Sequence, residues 1–287
     1  MKAPIVWALP AVIVVLVLRY VSTLTGLSYS FTDLQGVGEE SSFVGLDNFV
    51  EVFKNPSLRP ALMNTLTIAI SYVIIVNVLA LLLAVGLHRA ARTGGISRSL
   101  VFLPVVMSSV VIAYAWQFIL APNGAINQVL TAVGLGDFAK AWLADPTWAL
   151  WCILLVMVWQ TVGLPMVIYM AGLQSISKDI DEAATIDGAR FWRHLRTVTL
   201  PLLAPSITVA STLSLISGLE VFDLVMALTR GGPAGATQTL ATVMYDTTWV
   251  RGHYGLGAAI AVTLMLLVIV ASVIQVSITR RLERKMR

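Results

Sequence analysis

Glu220 and Asp223 stand near the end of a long apolar run, where an ionised carboxylate is costly and usually faces a polar cavity or a charged partner. Asn77, Tyr114, Gln117 and Gln160 are the other polar or aromatic side chains that interrupt apolar runs in a suggestive way. Amides, carboxylates and aromatic rings together suit a ligand with many hydroxyls and a flat apolar face. The same amides serve equally well as hydrogen-bonding glue between helices, so the type alone does not decide. Metal chemistry is not indicated, because His88, His194 and His253 are far apart and Cys152 is a lone cysteine. Neither a His-Glu-x-x-His pattern nor a Gly-x4-Gly-Lys-Ser/Thr phosphate loop occurs.

The elements that must position these residues are membrane spans. Of 287 residues 57% are hydrophobic and only 12% charged, with a mean hydropathy of +0.85, which is more apolar surface than a globular core can hide. A crossing takes roughly 20 apolar residues. Runs at about 4–27, 62–87, 100–121, 148–172, 202–228 and 256–279 meet that need and predict an all-α membrane protein of six transmembrane helices in a single domain, 1–287. Lys2 ahead of the first run suggests a signal peptide, yet no small-x-small cleavage site follows, so an uncleaved helix is expected. Six spans put both termini on one side. That side collects thirteen Lys and Arg residues against five opposite, so both termini are expected in the cytoplasm. The net charge of +4 then reflects cytoplasmic loops and not nucleic acid.

Along the fifth run, a rise of about 1.5 Å per residue from Leu202 sets Glu220 roughly 27 Å and Asp223 roughly 32 Å away, near the outer mouth. There they are too near the rim for a buried catalytic pair. They read as a polar rim, or as Glu220 paired with Arg19 of the first span. Gly255, Gly257, Ala258, Ala259 and Ala261 form a small-residue patch that reads as close packing. Trp142, Trp148, Trp249 and Tyr254 fit an outer aromatic belt.

One long cytoplasmic loop, about 173–201, is patterned. Ser177 is a plausible N-cap, with Asp179, Asp181 and Glu182 in the first turns, where the helix dipole favours negative charge. Gly188 suits a left-handed helix end, and Pro201 opens the next span. Two short helices along the membrane face are expected. Ala183 and Ala184 keep one surface thin beside the Glu182 carboxylate, as for a knob entering a groove. Arg190, Arg193 and Arg196 equally suit lipid headgroups.

Glu182-Ala183-Ala184, then Gly188, then Val198-Thr199-Leu200-Pro201 resembles the signature loop of the permease subunits of binding-protein-dependent ABC importers, with Val198 where Ile is more usual. Phe43 to Phe49 ahead of Asn64-Thr65-Leu66, Leu173-Gln174-Ser175-Ile176, and Leu228-Thr229-Arg230-Gly231-Gly232-Pro233 resemble the carbohydrate-type members, similar to the maltose and glycerol-3-phosphate permeases. The resemblance implies a type I ABC importer permease fold in the bacterial cell membrane. It further implies a second homologous permease subunit, two ATPase subunits and an extracytoplasmic solute-binding protein as partners. Glu182, Ala183, Ala184, Asp187 and Gly188 would dock the ATPase, while ATP and Mg would bind the ATPase subunits and not this chain. A sugar is the expected substrate, with glycerol-3-phosphate or a phosphodiester as the alternative. An ion-coupled carrier would instead show repeats and half-helices around midplane charges.

Overall fold

The computed structural model describes residues 9–36, 40–56, 58–89, 94–177, 179–180 and 191–286. The described residues are helical apart from loops and two isolated bridges, Thr32 with Phe43 and Gln35 with His253. They divide into two compact units. One comprises the described residues up to Arg59 with Leu240–Leu266, and the other Pro60–Thr239 with the residues from Leu267 on.

The first unit begins with α1 (Leu9–Tyr29), none of whose side chains is buried among the described residues. Such a surface suits lipid, where every backbone group must be paired within the helix. Around Arg19 the helix widens into a π turn, Val17–Val21, and the Thr23 hydroxyl donates to the Arg19 carbonyl at 2.7 Å. Beyond α1 the chain folds back over α2 (Asp47–Lys54), and the Asn48 amide donates to the Ser30 and Thr32 carbonyls at 3.0 and 2.8 Å. Asp33 accepts both the backbone N–H and the hydroxyl of Ser42 at 2.6 Å, and the hydroxyl bond above all holds its carboxyl below the ordinary range. The small-residue patch is a packing feature, as expected: a Cβ on Gly255 would strike the Thr32 backbone, and one on Gly257 the Thr248 side chain.

In the second unit, α3 (Leu58–Arg89) turns a buried stripe inward: Thr65, Ala69, Tyr72, Val76, Ala80 and Ala84, spaced three or four apart. It is followed by α4 (Gly94–Val106), α5 (Ser109–Ile119), α6 (Ala125–Ala132), α7 (Ala149–Thr161), α8 (Gly163–Gln174), α9 (Trp192–Leu202), α10 (Ala204–Leu219) and α11 (Asp223–Leu228). The core gathers on α7 and α8, where Ile153, Val156 and Met166 are wholly buried. α12 (Leu240–Tyr245) and α13 (Tyr254–Met286) close the chain.

Among the described residues three helices, Leu9–Tyr29, Leu58–His88 and Tyr254–Arg281, are long and apolar enough to cross a membrane, and up to six crossings result if each bent pair counts as one. Three of the six apolar runs read from sequence are bent. The run 100–121 is bent by 99° between α4 and α5, two residues after Pro104 has removed a backbone donor and Ser108 has become extended. The run 148–172 bends by 44° at Val162, beside Gly163 and Pro165. The run 202–228 starts after a 75° bend between α9 and α10 and breaks again at Glu220–Phe222.

Candidate functional site

Every break in a membrane helix frees carbonyls that lipid cannot satisfy, so something in the protein must. At the end of α11 the Gln117 amide from α5 donates to the Ala227 carbonyl at 2.7 Å and to that of Leu228 at 3.2 Å. The backbone N–H of Arg230 returns to the Val225 carbonyl at 2.9 Å, which turns Arg230 into the left-handed region at φ +52°. The following loop, 229–239, is tightly fixed. Thr229 and Thr237 hydroxyls lie 2.7 Å apart, Thr237 donates to the Gly232 carbonyl, and Asn64 of α3 donates to both Ala236 and Gln238 carbonyls at 2.9 Å. Thr239 completes the closure by donating to the Val221 carbonyl at 3.1 Å.

Where α5 meets α11 and this loop, a cavity of about 570 Å³ opens. Its chemistry comes from Tyr114, Gln117, Phe222, Asp223, Thr229 and Arg230, with apolar wall from Val110 and Met226. Tyr114, Asp223 and Arg230 are exposed to it and have no side-chain partner among the described residues. Gln117 spends its N–H groups on α11. The cavity thus offers one carboxylate, one guanidinium, a phenol and two aromatic faces, a set suited to a small polar guest.

Three of the six residues singled out from sequence for ligand contact meet here: Tyr114, Gln117 and Asp223. The other three do not. Asn77 donates to Val73 of its own helix at 2.8 Å and accepts the Tyr169 hydroxyl at 2.6 Å. Gln160 is 6% exposed and donates to the Met107 carbonyl and the Ser109 hydroxyl across the α4–α5 bend. Glu220 follows the last residue of α10 and is exposed outside the cavity wall. Phe222 and Arg230 were missed. The run of Arg230 into Gly-Gly-Pro was the available signal, because such residues mark a tight turn at a helix end. The docking residues Glu182, Ala183, Ala184, Asp187 and Gly188 lie outside the described residues.

In the first unit Asp33, Gln35, Asp47, Asn48, Glu51 and His253 line a second cavity of about 300 Å³. Among the described residues no group of three or more His, Cys, Asp or Glu is arranged to hold a metal.

Apolar helices of this length and number, several of them bent, are those of a multi-pass membrane protein. Residues 76–284 match the family described as binding-protein-dependent transport system inner membrane component, and the chain belongs to that family. It is 34% identical over 254 residues to the lactose transport system permease protein LacF of Rhizobium radiobacter, covering 87% of this chain and 85% of LacF. With the probable starch degradation products transport system permease protein AmyD of Thermoanaerobacterium thermosulfurigenes it shares 31% identity over 277 residues, covering 96% and 94%. A crystal structure of a bacterial ABC transporter involved in the import of the acidic polysaccharide alginate superposes with a TM-score of 0.84 at 25% identity, covering 96% of this chain and 94% of that one. The chain is a permease subunit of an ABC importer, a multi-pass component of the inner membrane with the type I fold.

Proposed function

We propose that this chain carries a sugar inward across the membrane as one half of a permease pair, driven by ATP hydrolysed on separate subunits. The observation that carries the reading is the cavity between α5 and α11, where Tyr114, Phe222, Asp223 and Arg230 offer hydrogen bonds and apolar faces side by side. Hydroxyl-rich rings need both. The names of LacF and AmyD and the alginate importer's cargo support the same class. In this reading an extracytoplasmic binding protein delivers the sugar, and a second homologous permease subunit completes the path. One of two ATPase subunits grips Glu182, Ala183, Ala184, Asp187 and Gly188 in a groove, and closure of the ATPase pair on ATP moves the path from inward-open to outward-open. Both termini then lie in the cytoplasm, and this chain binds no nucleotide of its own.

Arg230 favours a second reading, an anionic cargo such as glycerol-3-phosphate or a phosphodiester, because it places a cation in the cavity. Asp223 in the same wall weighs against it.

Deleting the chain in its host and measuring uptake of labelled oligosaccharides, monosaccharides and glycerol-3-phosphate tests the proposal. Loss of uptake of one sugar class, restored by the intact chain, is expected. Loss confined to glycerol-3-phosphate, or uptake of every compound unchanged, overturns it.

A further inference from the structure

The cavity between α5 and α11 holds two opposite charges, one toward each end of α11. Asp223 sits in the first turn of α11 and Arg230 two residues past its end, and the wall they share brings both to one space. Neither has an ion-pair or hydrogen-bond partner for its side chain among the described residues. Arg230 is not a loose surface arginine. Its left-handed backbone, an unfavourable conformation for a residue with a Cβ, is held by its N–H to Val225 and by the locked loop after it.

We infer that Asp223 and Arg230 are a charge-balanced pair of specificity-determining residues that fits this cavity to neutral polyhydroxylated ligands and turns anionic ones away. A carboxylate accepts hydrogen bonds from two hydroxyls and a guanidinium donates two N–H bonds in a planar fork, so each matches a vicinal diol without needing a charge on the ligand. An anionic ligand gains from Arg230 but meets Asp223 as a like charge at close quarters, and it loses hydration on entry. The two formal charges cancel for any guest that touches both. Toward a phosphate or a uronate Asp223 sets a repulsion against whatever its hydroxyl contacts give; toward a neutral glycan it has only the hydroxyl contacts. Phe222 and Tyr114 supply the faces against which ring C–H groups rest.

This inference rests on the sugar-importer reading and is tested apart from it. The complete transporter, copurified through this chain and placed in nanodiscs without its binding protein, is titrated with maltotriose and with trigalacturonate as probes. In the intact protein maltotriose is preferred. Asp223→Asn removes the like charge and shifts the binding ratio toward trigalacturonate by about tenfold or more. Arg230→Gln shifts it the other way, and the double substitution returns it near the starting value. Asp223→Asn is nearly isosteric, and recovery of the intact complex checks its folding. A ratio unmoved by either substitution, or a preference for trigalacturonate in the intact protein, overturns the inference while leaving sugar import standing. Loss of the importer reading itself appears only in the uptake screen.

Discussion

Gln160 bridges a break that it does not belong to: from α7 its Nε2 donates to the Met107 carbonyl at 3.3 Å and to the Ser109 hydroxyl at 3.1 Å, spanning the 99° bend between α4 and α5. Replacement of the buried Gln160 by Leu removes the one donor that both groups share. A hydrogen bond of this kind is worth about 0.5–1.5 kcal/mol net. Gln160→Leu is expected to lower the unfolding temperature of the purified subunit, and an unchanged melt would refute the stapling role.

Tyr169 and Asn77 join α8 to α3 through a 2.6 Å hydrogen bond inside the apolar core. Hydrogen bonds between membrane helices measure about 0.6 kcal/mol on average and reach about 1.7. A cycle of Tyr169→Phe and Asn77→Ala should therefore show coupling of that order by reversible unfolding in detergent. Strict additivity of the two substitutions would mean the bond contributes nothing.

Transport through this chain depends on the Glu182 carboxylate in the reading proposed above. Glu182→Lys is expected to abolish uptake and release the ATPase subunits during copurification, with the chain still inserted in the membrane. Full uptake by that variant rejects the assignment.

Asp33 gives a pH-dependent contact. Its carboxyl titrates below the ordinary range, first because of the Ser42 hydroxyl and then its backbone N–H. With the folded value depressed, the stabilisation is complete above the ordinary carboxylate range and disappears as pH falls through the folded value. Ser42→Ala should move the Asp33 titration upward, read by NMR of carboxyl-labelled aspartate. A midpoint that stays in place contradicts the hydroxyl's leading part.

Hydropathy made the number of apolar runs legible because lipid imposes length and apolarity on any span. It could not show the bends, since Pro104 and Pro165 sit in runs whose apolar composition continues unbroken on either side. Residue type separated the site only halfway. Gln117 and Gln160 are the same amide in equally apolar surroundings, yet one reaches a cavity wall and the other lies buried at a bend. That difference depends on which neighbouring helix has broken, a tertiary fact. Phe222 escaped notice for the opposite reason, being one apolar residue among many until Glu220 and Val221 leave the helix and expose its face.

Asn64 holds the carbonyls of Ala236 and Gln238 from more than 170 positions earlier in the chain. The segment carrying Arg230 is thus not a portable module. A chimera that borrows residues 229–239 from a relative inherits its side chains but takes its shape from whatever stands at position 64 of the host. A graft of the loop alone therefore keeps its shape only in a host with asparagine at that position, and in any other host both pieces must be transplanted together.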